Sequence, residues 1–199
     1  MAVAVDVRDR ASVKAMVEKV KKRFGRLDYA VNSAGTGKKA ESDVTIVDES
    51  EYDLLHDVNA KGILHCLQKE IIAMKDQEPA YVEGRHGRRS IGPGSIINIT
   101  SLSSSVCTPN SVTYTASKFA AKGIIKCATL ENRTSGLRIN EVCPGYTKTP
   151  MLQLAVERQP DVADLIKKAM PLGRLSLKKL RVLYISWQAP GRALLTDNQ

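Results

Sequence analysis

Tyr114 and Lys118 stand four residues apart in the run Tyr-Thr-Ala-Ser-Lys. On a helix that spacing puts both side chains on one face. A lysine ammonium beside a phenol favours the phenolate and lowers a tyrosine pKa ordinarily near ~10. A phenol poised in this way exchanges a proton with a carbonyl or alcohol oxygen near neutral pH. Ser101 lies thirteen residues before Tyr114, at the end of a β-branched run, where its hydroxyl would hold the same oxygen. The Y-x-x-x-K pattern alone is common on surface helices. Its context here is Asn32-Ser33-Ala34-Gly35, Asn59-Ala60-Lys61-Gly62 and Cys143-Pro144-Gly145 through Pro150, all placed near element ends.

The elements that must position these residues are legible in the hydrophobic pattern. Residues 2–7 (AVAVDV) alternate briefly and read as the end of a strand. Val13, Val17, Val20 and Phe24 fall at helical spacing over residues 11–24, and Gly25 ends that helix. Leu27 to Val31 reads as a buried strand, Glu51 to Met74 as a long helix, and residues 76–94 as a polar loop rich in Gly, Arg and Pro. Ser95 to Thr100 (SIINIT) has the continuous apolar character of a central parallel strand. Val112 to Thr134 is helical, Leu137 to Val142 is the next strand, and residues 150–170 form one or two short amphipathic helices. Strands alternating with helices imply right-handed βαβ units, with chemistry collected at the carboxyl ends of the strands. Those ends are Asp6, Asn32 to Gly35, Ser101 and Pro144 to Thr149.

Composition narrows the class further. The chain has 199 residues, 43% of them hydrophobic and 26% charged, which suits one globular domain. No apolar run approaches the roughly 20 residues needed to cross a bilayer, and MAVAVDVRDR lacks the apolar core of a signal peptide. The formal net charge is +9, but the basic residues are scattered and no aromatics interleave with them, so nucleic acid is not the expected partner. Gly84 to Arg89 reads as a solvated loop. Cys66, Cys107, Cys127 and Cys143 lie far apart without metal spacing, and read as reduced, mostly buried thiols of a cytoplasmic protein. His56, His65 and His86 form no ligand pair, so no metal is expected.

Taken in order, Asp6-Val7, Asn32 to Gly35, Asn59 to Gly62, Ile97 to Ser101, Tyr114 to Lys118 and Pro144 to Thr149 closely resemble the motifs of a classical short-chain dehydrogenase/reductase, from about residue 2 to Ser176. The resemblance implies a Rossmann-like, doubly wound parallel α/β sheet. It also implies an oxidoreductase interconverting a secondary alcohol and a ketone with NAD or NADP. By position, Tyr114 would be the general acid/base. Lys118 would depress its pKa and bind the nicotinamide ribose, Ser101 would orient the carbonyl, and Asn59 would hold a proton-relay water. Asp6 and Val7 would meet the adenine, while Asn32, Ala34 and Gly35 would line the cofactor cleft. Pro144, Gly145, Thr147 and Thr149 would hold the carboxamide. Intact relatives are expected to pair through the Tyr114 helix and the helix before Ser95, as homodimers or homotetramers, and to act on a small carbonyl or alcohol substrate.

Each piece also has a plainer reading: Ser101 as a loop serine, Asn59 as a helix polar residue, Thr147 and Thr149 as helix caps. The family's first strand, its Gly-rich T-G-x-x-x-G-x-G turn and its second strand have no counterpart in this sequence, so the sheet is expected to be incomplete. With them go the pyrophosphate cradle and the residue that chooses NAD or NADP. The loss would leave a gap between residues 3–7 and 27–31 and an open apolar edge. A catalytically silent, truncated remnant is therefore the competing expectation, and an epimerase or dehydratase using the same Tyr/Lys pair a weaker one. Residues 1–176 are read as the partial family domain and 177–199 as a tail outside it. Reading from Leu177 at the third base of each codon permits a typical family ending and forces an alanine across Trp187-Gln188. Residues from about Lys178 are thus expected to be out of frame, the alternative being a divergent tail. A stop codon in the shifted frame of the gene would refute the first.

Overall fold

A computed structural model describes residues 1–39, 43–85, 87–147, 149–158, 163, 164, 166, 184 and 185. Pro171 to Ser176 and nearly all of the tail lie outside the described residues. Helix α1 (Arg10–Phe24) starts where the Asp9 carboxylate accepts the Ala11 N–H at 2.8 Å. It ends at Gly25, whose φ of 81° turns the chain while its N–H closes on Lys21. Lys21, Lys22 and Arg23 in the last turn complement the helix dipole. Strand β1 (Tyr29–Asn32) follows, then α2 (Glu49–His56). A π-helical turn (Asp57–Lys61) and α3 (Gly62–Met74) continue the same rod. The long helix expected over 51–74 is thus present, with a widened turn at Asn59. Such turns are frequent at functional sites.

Strands β4 (Ser95–Ile99) and β5 (Arg138–Val142) flank α4 (Val112–Glu131). β1, β4 and β5 run parallel, with Val31 beside Ile97 and Ile97 beside Asn140. Ile96 and Ile139 point to the face covered by Ile63, Leu67 and Met74 of α3 and Ala121, Ile125 and Ala128 of α4. That cluster is the core, and it fixes the two helices on one side of the sheet. After β5 come α5 (Pro150–Arg158) and β6 (Tyr184–Ile185), which pairs antiparallel with β5.

Two expectations fail. Residues 2–7 form no strand, because among the described residues no strand offers its backbone to them. Instead Val7 packs against Gly62, and its carbonyl meets His65 Nδ1 at 2.9 Å. Residues 76–94 are not a plain loop but hold an antiparallel hairpin, β2 (Ala80–Gly84) and β3 (Gly87–Gly92). Its charged, Gly-rich strands have no apolar alternation to betray them. The ladder is backbone-made, and Arg88 stacks 4.1 Å from the centre of the Tyr81 ring. The thiols also differ from expectation, since Cys66 and Cys143 are buried but Cys107 and Cys127 are exposed.

On the face away from α3 and α4, Tyr29 and Val31 are 63% and 61% exposed on an edge strand. An apolar edge that pairs with no other strand among the described residues is a site of self-association. Val31→Lys is therefore expected to shift concentrated protein toward its smallest species in light scattering. Unchanged scattering would exclude this edge as the source.

Candidate active site

The carboxyl ends of the three parallel strands and the first turns of α4 bring the sequence-predicted residues together. Ser101, separated from β4 by Thr100, caps a short 3-10 turn (Leu102–Ser104) by accepting the Ser103 N–H at 3.1 Å. Its hydroxyl lies near enough to the Tyr114 phenol to pull the phenol's pKa down. Lys118 is 4% exposed, with its Nζ 5.5 Å from the centre of the Tyr114 ring. The loop after β1 passes close to it. A Cβ added at Gly35 would lie 3.3 Å from Asn59 Oδ1 and 3.5 Å from Lys118 Nζ. Only glycine leaves that strip of backbone bare beside the ammonium.

Asn59 is wholly buried in the π-helical turn. Its Oδ1 accepts the Thr36 N–H at 2.9 Å, and its Nδ2 donates to the Thr36 carbonyl and to Ser117 Oγ, both at 3.0 Å. Ser117 Oγ in turn donates to the Tyr114 carbonyl at 2.7 Å. The side chain is thus engaged in clamping the Gly35–Thr36 loop to α4. Asn59→Ala would leave these groups without partners and is expected to lower unfolding stability by about 2–4 kcal/mol in urea titration. A loss below about 0.5 kcal/mol, the range of an ordinary surface change, would show that water replaces the clamp.

The protonation states are set mainly by burial. Burial pushes the Tyr114 phenol above its ordinary value, and the nearby Ser101 hydroxyl pulls partly back. This corrects the expectation that Lys118 depresses it. The ammonium sits over the ring rather than at the hydroxyl. Burial also disfavours the ammonium itself and brings Lys118 down to about 8, against the opposing pull of Glu141.

The remaining residues divide. Pro144 joins the site, since its carbonyl accepts the Leu102 N–H at 2.8 Å and ties the loop after β5 to the Ser101 turn. Thr147 Oγ1 donates to the Gly145 carbonyl at 3.2 Å. Thr149 accepts the Leu152 N–H at 3.3 Å and caps α5, its plainer reading. Val7 reaches the start of α3 beside the π-helical turn. Asp6 is exposed and held by Arg8 at 2.7 Å, which drops its carboxyl to about 2. Ala34 lies in the loop between Asn32 and Gly35. The Asn32 side chain turns away from the cleft, donating to Glu70 Oε2 at 2.9 Å and Asn98 Oδ1 at 3.0 Å. Sequence reasoning passed over Glu70, Ser117 and Glu141, although an acid inside an apolar helix stripe or a strand such as Ile139 to Val142 is itself a signal.

Comparison with known proteins identifies the family of the chain. A family profile described as enoyl-(acyl carrier protein) reductase matches residues 1–180. The short-chain dehydrogenase srdC of Neurospora crassa is 39% identical over 176 residues, covering 88% of this chain and 65% of that protein. The short-chain dehydrogenase anuF of Penicillium roqueforti is 36% identical over 87% of this chain and 63% of its own length. The solved structure of ElxO with NADP bound superposes with a TM-score of 0.72 at 28% identity, covering 87% of this chain and 64% of that one. The chain therefore spans just under two thirds of the length of the relatives it matches.

Proposed function

Because the chain belongs to the short-chain dehydrogenase/reductase family, we propose that it is part of an NAD(P)-dependent oxidoreductase interconverting a secondary alcohol and a ketone. The observation that carries this is the convergence of the Ser101 hydroxyl, the Tyr114 phenol and the Lys118 ammonium beside bare backbone at Gly35. That strip fits a flat, polar cofactor, because a side chain at Gly35 would fill the space next to Lys118. Gly35, Ala34, Lys118 and Tyr114, with Pro144, Gly145 and Thr147 opposite, would hold the nicotinamide end, and Val7 the far end. The nicotinamide supplies or accepts the hydride when bound.

The chain's own residues handle the proton. Ser101 Oγ holds the carbonyl oxygen, and Tyr114 Oη donates its proton to that oxygen during reduction. Lys118, with its Nζ 5.5 Å from the ring centre, would bind the nicotinamide ribose rather than lower the phenol's pKa. Asn59 keeps the Gly35–Thr36 loop from sagging into the cleft. A phenol raised by burial is protonated at neutral pH and so favours reduction there. The kcat/KM for ketone reduction is expected to fall as pH rises past about 8, where Lys118 loses its charge. A reduction profile flat to pH 10 would contradict this.

Free cysteines suit a reducing cytoplasm. Among the described residues no helix is long and apolar enough to cross a membrane. Exposed Leu64 and Ile72 on α3 and Phe119 and Leu130 on α4 support pairing as a homodimer or homotetramer. The direct test titrates purified residues 1–199 with NADPH and NADH by fluorescence and then assays a test ketone. Saturable binding with turnover supports the proposal. Absence of binding to both favours the silent remnant.

A further inference from the structure

The β2–β3 hairpin stands at the amino ends of β1 and β4, the end of the sheet away from Ser101. Its base, Ala80, Ile91 and Gly92, meets Asp28, Tyr29 and Ser95, while every described residue from Tyr81 to Ser90 is exposed. A two-stranded hairpin with neither face covered is marginal in water. Its two edges also differ. β3 carries Arg88 and Arg89, charges that discourage further pairing. β2 carries Tyr81 and Val82, 51% and 36% exposed, and pairs with no strand but β3 among the described residues. Two residues connect Gly84 to Gly87, so that pair exchanges both hydrogen bonds, and bonded pairs alternate from there. Val82 is then bonded to Arg89, which leaves the N–H and C=O of Tyr81 and Glu83 pointing to the open side.

We propose that a second copy of this chain pairs with β2, antiparallel and about a two-fold axis through Val82, so that two hairpins join into one continuous sheet. This register sets Tyr81 opposite Glu83 of the second copy, and each such pair exchanges hydrogen bonds through the amides left free. Val82 meets Val82 of the second copy on the axis as a close, non-bonded pair, and the two side chains cover each other. On the other face Arg88 stands across from Glu83 but lies over the Tyr81 ring, 4.1 Å from its centre. The incoming Glu83 lands beside that ring, where its carboxylate meets the guanidinium. A shift of register would take each carboxylate away from that arginine. Pairing through β3 instead would set Arg88 and Arg89 of both copies side by side, which like charges oppose. A two-fold contact of this kind is self-complementary and closes at two copies. At the amino ends of the strands it leaves the cleft at Ser101 and Tyr114 open.

This pairing does not depend on the oxidoreductase reading, and its test uses the full chain without cofactor. Sedimentation velocity over a concentration series reads association in Val31→Lys protein, where the β1 edge is blunted. Glu83→Pro, added to it, removes an N–H that points away from β3, so the hairpin keeps its own ladder. It should weaken the association roughly tenfold or more, because both symmetry-related hydrogen bonds go. Val82→Cys gives a second readout, in a chain whose exposed thiols are removed by Cys107→Ser and Cys127→Ser. Oxidised glutathione should link two such chains through residue 82, since directly opposed non-bonded pairs have the separation a disulfide needs. Arg89→Cys in the same background lies one strand further from the axis and should stay unlinked. Val31→Lys protein that is monomeric at every concentration, or association unmoved by Glu83→Pro, overturns the proposal. Should Glu83→Pro not fold, the cross-link decides. Linkage at residue 82 alone supports the pairing, and no linkage, or equal linkage at 82 and 89, overturns it.

Discussion

Tyr114→Phe is expected to lower ketone turnover about 10²–10⁴-fold while leaving NADPH or NADH binding within a factor of a few. The substitution removes one atom. The ring stays packed where it is, with Lys118 over its face, so the shape of the cleft is preserved. What disappears is the hydroxyl beside Ser101 that, on the proposed mechanism, gives its proton to the carbonyl oxygen. The loss belongs in kcat, because the proton is needed in the transition state and not for substrate binding. Phe leaves Ser101 with the Ser103 N–H as partner, so stability should change by less than about 1 kcal/mol. Steady-state kinetics and a fluorescence titration on the same preparation check this. A variant that retains more than a tenth of wild-type turnover would remove Tyr114 from the chemistry.

The reach of the sequence can be judged from these same residues. The Tyr114, Lys118 and Ser101 convergence was readable because helix periodicity and a strand end leave little freedom in where such side chains go. The parallel core was readable for a related reason. Ile96 lies in an almost continuous β-branched run, Ile139 alternates with Arg138 and Asn140, and α3 and α4 carry apolar stripes that must meet them. Electrostatic consequences were not readable. Four residues of spacing placed an ammonium near a phenol, but its position over the ring, and burial's opposite pull on both groups, depend on packing. The hairpin over 80–92 was hidden because its ladder uses backbone groups that every sequence possesses. Residues 2–7 failed in the converse way, since a strand-like pattern makes no strand without a neighbour. Asn32 shows a third limit. Its motif pointed to the cleft, yet a one-residue alternation in β1 sends its amide to the helix-covered face, where a buried acid receives it.

That acid gives the second large effect. Glu70 is 3% exposed on α3, and burial pushes its carboxyl up to about 7 despite the Asn32 hydrogen bond. The unfolded chain releases this proton near the ordinary 4.5, so between 4.5 and 7 the folded state holds a proton the unfolded state has lost. The contribution to stability is fully present below about 4.5 and is lost as pH rises through 7. Above that, the folded protein carries an ionised, poorly solvated carboxylate at a cost of about 3 kcal/mol. Glu70→Gln removes the charge and keeps an oxygen for Asn32 Nδ2 to donate to. Urea unfolding at pH 8 should therefore show the variant more stable by about 1–3 kcal/mol, the lower end allowing for the extra amide proton that must find a partner. At pH 4.5 the two proteins should coincide. Equal stability at pH 8 would mean that Glu70 is better solvated than its burial implies. Asn32 links Glu70 to Asn98, whose Nδ2 donates to the Asn140 carbonyl at 3.2 Å, so the acid terminates a polar chain across β1, β4 and β5. A wrong register of β1 would strand those amides in the core. The charge thus costs stability at neutral pH, while the amide ladder it anchors fixes β1, and with β1 the loop that brings Gly35 to Lys118.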